Sequence, residues 1–150
     1  MNYFIFDLDN TLFNIKNNII RNTVSGELLE SLKKKGEIVL FSNAKYAYCN
    51  YWLDILNIKK YFSLIISSDF IDGFKPNPLI YKRINSLLGI NKKDKIYFFD
   101  DIKINLDTSK EHLNKKWITI WINKNSTKKN HIDYCFNNIN TSLEYLLSIF

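Results

Sequence analysis

Residues 3 to 11 read Tyr-Phe-Ile-Phe-Asp-Leu-Asp-Asn-Thr. Tyr3 to Phe6 is a short apolar run rich in β-formers, and it reads as a buried strand. Two carboxylates, Asp7 and Asp9, follow at once with only Leu8 between them. Like charges at a buried strand end are costly unless they are paired or bound to metal. A divalent cation would supply that compensation. The carboxyl end of a strand is also where open α/β sheets place their chemistry.

The chain repeats this pattern. Ile38 to Phe41 is a second buried strand ending in Ser42-Asn43. Leu64 to Ile66 is a third, ending in Ser67-Ser68-Asp69. Ile96 to Phe99 is a fourth and ends in a second acidic pair, Asp100 and Asp101. Ile118 to Ile122 is a fifth. Helices are expected between them. One is capped by Ser25, carries Leu28, Leu29 and Leu32, and is stopped by Gly36. The next spans about Tyr46 to Leu56, with Ala47, Tyr48, Tyr51, Trp52, Ile55 and Leu56 as its apolar stripe. A third starts at Asn77-Pro78 and closes at Gly89. Shorter ones cover roughly Asn105 to Leu113 and Ser142 to Phe150. Residues 12 to 24 read as a loop or short hairpin, 123 to 131 as a polar loop, and 132 to 136 as ambiguous. Strands alternating with helices predict a parallel sheet with helices on both faces. The expected fold is a Rossmann-like three-layer α/β/α sandwich on a five-stranded parallel sheet, forming one domain over residues 1–150.

The totals agree with that frame. A chain of 150 residues, 46% apolar, suits one domain with a sizeable core and is too apolar for disorder. No apolar run reaches a membrane span, and residues 1 to 20 show no signal pattern. The expectation is a soluble, cytoplasmic protein without a membrane partner. Cys49 and Cys135 stand apart from any Cys-x-x-Cys pair and read as free thiols rather than a zinc site. The net charge is +6. Almost all basic residues are Lys, only Arg21 and Arg83 being Arg. Their clusters fall at element ends, as a solvated surface does, so the charge gives little reason to expect nucleic-acid binding.

Parallel strands bring their carboxyl ends to one edge, so Asp7, Asp9, Ser42, Asp100 and Asp101 can converge, joined by Lys75 from a Gly/Pro-punctuated loop. Oxygen-rich ligation suits Mg²⁺, and Asp7 and Asp100 can bind it from adjacent strands. Ser42 and Lys75 can hold a phosphate, with backbone donors around Leu8 to Asn10. A carboxylate in line with a clamped phosphorus can attack it to give an aspartyl-phosphate. A second carboxylate two residues on can protonate the leaving alkoxide and then activate water. Asp69 reads as the organiser of its own turn, Asn43 and Asn105 as organisers of their loops, and His112 and His131 as surface residues.

With those motifs assembled, the sequence resembles the haloacid dehalogenase-like (HAD) phosphohydrolases. Phe6-Asp7-Leu8-Asp9-Asn10-Thr11-Leu12 matches the D-x-D-x-T signature. Leu40-Phe41-Ser42-Asn43 matches the second motif, Gly73-Phe74-Lys75-Pro76 the third, and Phe98-Phe99-Asp100-Asp101 the fourth. The resemblance implies Asp7 as nucleophile, Asp9 as general acid/base, and Lys75 as a third catalytic group. It places Ser42, Asn43, Asn10 and Lys75 at the phosphate. It implies Mg²⁺ on Asp7, the main-chain carbonyl of Asp9, and Asp100, with Asp101 a ligand or an orienting neighbour. Leu40 to Ala44, Cys49, Leu56-Asn57-Ile58, Lys75-Pro76 and Ile132-Asp133-Tyr134 look like the pyrimidine 5′-nucleotidase-like branch. Those enzymes carry a helical cap after the first motif. Only about 30 residues separate Thr11 from Ser42 here, so the chain looks capless, like the small magnesium-dependent phosphatases.

The expected activity is a Mg²⁺-dependent phosphomonoesterase acting on a nucleoside monophosphate or another small phosphorylated metabolite. Two alternatives stand beside it. One is a capless phosphatase for a bulky substrate: a phosphoprotein, a nucleic-acid end or a sugar-phosphate adduct. The other is a non-catalytic phosphate- or partner-binding module. The aromatic content leaves room for a homodimer in place of a cap.

Overall fold

A computed structural model describes residues 1–125 and 127–150. Its main sheet is built from β1 (Asn2–Phe6), β4 (Glu37–Phe41), β5 (Leu64–Ile66), β6 (Lys95–Asp100), β7 (Ile118–Ile122) and β8 (Tyr134–Phe136). Their order is β5-β4-β1-β6-β7-β8, every pair parallel. The expected five-stranded sheet is thus corrected to six. β8, three partly exposed residues at the sheet edge, has no buried apolar run to announce it. It forms because β7 offers an open ladder (Ile120 to Tyr134, Ile122 to Phe136).

The chain leaves β1 for β4 and β5 on one side, then returns past it to β6, β7 and β8 on the other. The reversal puts a switch point at the carboxyl ends of β1 and β6, where open α/β sheets bind ligands. Alternation along the buried strands supplies two cores. Phe4, Phe6, Leu40 and Phe99 face one layer with α1 (Gly26–Lys33), α2 (Tyr46–Ile55) and α6 (Ile139–Ser148). Ile5, Val39, Phe41 and Phe98 face the other, with α4 (Pro78–Leu88) and α5 (Lys103–Glu111). Phe6 stacks on Phe99 with ring centroids 4.3 Å apart, which locks the register of the two strands that carry the acidic pairs.

Local chemistry matches local structure. The Ser25 side chain caps α1, and the Asn77 side chain caps α4 with Pro78 in its first turn. Gly89 closes α4 at φ 64°. Residues 12 to 24 contain a hairpin, β2 (Asn14–Lys16) and β3 (Ile19–Arg21). Asn17 and Asn18 both have positive φ between the strands, as a two-residue primed turn requires. The hairpin and α1 fill the segment after the first motif, and α2, a single 3₁₀ turn, β5 and the four-residue α3 (Ser68–Ile71) fill the segment after the second. Neither segment holds a cap. The polar loop expected over 123 to 131 forms neither helix nor strand among its described residues; Ser126 lies outside them. No described helix is long and apolar enough to cross a membrane.

One helix face was misassigned. In α2, Cys49 and Leu53 are the fully buried residues, while Tyr48, Tyr51 and Ile55 of the expected stripe are exposed. Trp52 packs half-buried on Phe13, centroids 4.5 Å apart. A helix apolar on most sides does not reveal its phase. Cys49 is a buried free thiol as expected, and Cys135 is only partly covered. Trp117 and Trp121 belong to the core.

Candidate active site

Parallel pairing aligns Phe6 with Phe99, and the Asp7 N–H donates to the Phe99 carbonyl at 2.9 Å. Asp7 and Asp100 therefore leave neighbouring strands side by side. Into the space between them reaches Lys75, its side chain 1% exposed. The ammonium donates to Asp7 Oδ1 at 2.9 Å, Asp100 Oδ2 at 2.9 Å and the Phe41 carbonyl at 2.8 Å. All three of its donors are taken. Lys75 thus orients the Asp7 carboxylate, and contact with a phosphate would require it to exchange one of these partners. Burial would lower the lysine, but the facing charges of Asp100 and Asp7 outweigh it and hold it above the ordinary range.

The loop that delivers Lys75 is held by Asn43. Its Oδ1 accepts the Lys75 N–H at 2.7 Å and its Nδ2 donates to the Lys75 carbonyl at 3.2 Å. Asn43 therefore organises its loop, as the residue type suggested, with both its polar atoms turned to that backbone. Asn105 differs: its Nδ2 donates to Asp100 Oδ2 at 3.2 Å, so it orients a carboxylate. Asp100 Oδ1 accepts the Ile102 N–H. Ser42 is buried and its Oγ accepts the Ala44 N–H at 3.1 Å. Asn10 sits at φ 62°, a left-handed turn that Asn tolerates better than most residues.

Thr11 closes the acidic group. Its hydroxyl lies 3.1 Å from Asp7 Oδ2 and 3.3 Å from Asp101 Oδ1. One carboxylate oxygen from each of Asp7, Asp100 and Asp101 lies within 4.8 Å of the other two. One ammonium, paired with Asp7 and Asp100, stands against a group of three carboxylates. Asp101 is pushed up to about 8, first by burial and then by its hydrogen bond and charge contact with Asp7. The cluster thus carries more negative charge than the protein compensates. Hard oxygen donors in excess of their counter-charges fit a divalent cation such as Mg²⁺.

Asp9 is set apart from that trio. Its Oδ1 accepts the Tyr48 hydroxyl at 2.7 Å. Burial raises its carboxyl above the usual range, with the Tyr48 hydrogen bond opposing. Tyr48 in turn is pushed up to about 12 by partial burial and by Asp9. Asp7, Asp9, Asn10, Ser42, Asn43, Lys75 and Asp101 line a single pocket of about 150 Å³. Every residue singled out for the site is therefore gathered there except Asp100, which stands directly behind Lys75.

Sequence reasoning missed Tyr48, which the apolar-stripe reading absorbed, and assigned no role to Thr11, although it closes the first motif. It placed Asp69 correctly: Oδ1 accepts the Ser67 hydroxyl at 2.6 Å and the Tyr46 N–H at 2.9 Å. That second bond caps α2, whose own N-cap, Lys45, supplies none. His112 and His131 lie on the surface near Glu111.

The model of the haloacid dehalogenase-like hydrolase family matches residues 16–108. The chain belongs to that family. The matched stretch contains Ser42, Lys75, Asp100 and Asp101; Asp7 and Asp9 precede it. Among individual relatives, a phosphoglycolate phosphatase of Aquifex aeolicus (strain VF5) is 30% identical over 94 residues, covering 62% of this chain and 44% of the relative. The chain thus spans less than half the length of that protein. A Thermotoga maritima structure assigned as a beta-phosphoglucomutase superposes over 100% of both chains with a TM-score of 0.79 at 14% identity. The L-2-haloacid dehalogenase from Xanthobacter autotrophicus, with chloropropionic acid covalently bound, gives a TM-score of 0.67 at 13% identity, over 83% of this chain and 60% of that one. These structural likenesses establish the fold.

Proposed function

We propose that the chain is a Mg²⁺-dependent phosphomonoesterase that works through an aspartyl-phosphate on Asp7. The observation that carries this reading is the trio Asp7, Asp100 and Asp101 around one lysine, at the wall of a pocket of phosphate dimensions. Asp7, Asp100 and Asp101, with the Asp9 main-chain carbonyl, would hold the cation. When bound, it would neutralise the trio and the incoming phosphate, allowing one anion to approach another.

Each side chain then has a task. Lys75 and Thr11 hold the Asp7 carboxylate in one orientation, and Ser42 offers a hydroxyl to a phosphoryl oxygen. Asp7 attacks phosphorus while the alkoxide leaves, and Asp9 delivers its proton to that oxygen. Asp9 then takes a proton from water as the water attacks the aspartyl-phosphate, releasing phosphate and restoring Asp7. For this task Asp9 is held by Tyr48, apart from the carboxylates that would hold the cation.

The same fold hydrolyses haloacids in the Xanthobacter relative. Two features favour phosphoryl transfer here. Three carboxylates with a single ammonium among them would repel a free haloacid anion. A departing halide also needs no proton, whereas a departing alkoxide does, and Asp9 can supply it. The substrate proposed is a nucleoside monophosphate or another small phosphorylated metabolite. An uncapped pocket also admits a bulky phosphorylated substrate, the runner-up.

Hydrolysis of an aryl phosphate should require Mg²⁺, be abolished by chelation and be restored by added metal. Asp7→Asn should lose it while keeping the fold. Turnover without metal, or an active Asp7→Asn, would reject the proposal. A panel of mononucleotides, sugar phosphates and phosphopeptides assigns the substrate class.

A further inference from the structure

The phosphate pocket does not stop at Asn10 and Asp101. On their far side lies a cleft of about 240 Å³, continuous through shared walls with another of about 350 Å³ under the β2–β3 hairpin. Asn10 and Asp101 line both the first cleft and the catalytic pocket. Asn10, Asn14, Asn22 and Lys124 line both clefts, and Lys16 and Arg21 join them beneath the hairpin.

Two properties of this lining bear on what it could bind. Some asparagines have fixed partners: Asn43 and Asn105 in the site, Asn77 and Asn138 as helix caps, Asn140 against Thr23 and Ser25. The side-chain amides of Asn10, Asn14 and Asn22 have no hydrogen-bond partner among the described residues, although all three face one space. Lys16, Arg21 and Lys124 likewise have no carboxylate within ion-pair reach among the described residues, unlike Lys75, Lys103 and Lys110. Each amide offers a donor pair and an acceptor, the set that a hydroxyl requires, and three unpaired cations suit an anion.

Resting on the phosphatase reading, we infer that this cleft is the leaving-group subsite, and that it selects a small phosphomonoester with a hydroxylated skeleton and a second anionic group. Charge orients such a molecule. The acidic trio with its cation takes the phosphoryl group to be transferred, and Lys16, Arg21 and Lys124 take the other anion. Asn10, standing between the two spaces, contacts the bridge. This places the substrate among doubly anionic metabolites and ranks mononucleotides, whose only anion is the reacting phosphate, below them.

The test uses a sugar bisphosphate, the matching sugar monophosphate and a mononucleotide. In the wild type, kcat/KM should favour the bisphosphate at least tenfold. In Lys16→Gln/Arg21→Gln/Lys124→Gln that preference should shrink tenfold or more, through KM rather than kcat. No preference in the wild type, or a preference the triple variant keeps, overturns the inference. Calorimetric binding to Asp7→Asn separates the two readings. If the wild type hydrolyses nothing, but Asp7→Asn binds the bisphosphate tenfold tighter than the monophosphate and loses this with the triple substitution, the subsite stands and the phosphatase reading fails. Equal affinities reject the subsite whatever the activity.

Discussion

Replacing Lys75 by Met tests the electrostatic account of the site. The ammonium makes charge-assisted bonds to Asp7, Asp100 and the Phe41 carbonyl at 2.8–2.9 Å with almost no exposure. Met keeps most of the volume, so the cavity contribution is small. What is lost is the counter-charge of two carboxylates that already face a third within 4.8 Å. Breaking a buried pair by removing one partner costs roughly 3–5 kcal/mol. For a chain of this size each kcal/mol moves the melting temperature by about 2–4 °C. Lys75→Met should therefore melt roughly 6–20 °C lower than the wild type in chelator-containing buffer. Mg²⁺ should raise the variant more than the wild type, because the cation would stand in for the ammonium. Adding Asp100→Asn to Lys75→Met should recover part of the loss, because one uncompensated charge is gone. Thermal unfolding by circular dichroism, with and without Mg²⁺, reads all three. A loss below about 1 kcal/mol, or a loss indifferent to both Mg²⁺ and Asp100→Asn, would refute the reasoning.

Tyr48→Phe removes the 2.7 Å bond to Asp9, so turnover of an alkyl phosphate, whose leaving group needs a proton, should fall about tenfold. An aryl phosphate should suffer less, and equal losses would deny Tyr48 a part in placing Asp9; one such bond is worth roughly 0.5–1.5 kcal/mol in stability. Gly36→Ala would put a Cβ 2.2 Å from the Asn2 carbonyl oxygen, a backbone atom at the β1–β4 edge, and should cost about 1–3 kcal/mol in urea unfolding; an unchanged midpoint would show that the edge yields freely. The Ser67 hydroxyl and Tyr46 N–H hold the Asp69 carboxyl below its ordinary value. A depressed folded value stabilises above the unfolded pKa of about 3.9 and fades as pH falls through the folded one. The stability gap between wild type and Asp69→Asn should thus be full at pH 6 and shrink below about pH 4, and a gap constant with pH would break the link.

Much of this molecule is legible without coordinates because its strands are buried on both faces. Tyr3 to Phe6, Ile38 to Phe41 and Ile96 to Phe99 stand out as apolar runs, and polar residues at their ends violate the expectation of burial unless they do chemistry. Where burial is partial, the signal disappears. β8 lies at an edge, half exposed, and depends on β7 for its hydrogen bonds. The phase of α2 is hidden because Tyr46, Tyr48, Tyr51, Trp52 and Ile55 make nearly every face apolar. Only contact with the sheet selects Cys49 and Leu53 as its inner side.

Residue type and order by themselves determined the parallel α/β core and the acidic pairs at its switch point, and they suggested the separate tasks proposed for Asp7 and Asp9. Tertiary structure decided what those groups touch. It spent all three Lys75 donors on Asp7, Asp100 and a main-chain oxygen, gave Asp9 to Tyr48, and opened an amide-lined, basic cleft beneath the hairpin. The reason is one of range. Burial and hydrogen-bonding capacity are properties of each residue and its neighbours in sequence. Which donor meets which acceptor depends on strand order, and at the site that order joins residues 90 positions apart, as Thr11 and Asp101 are.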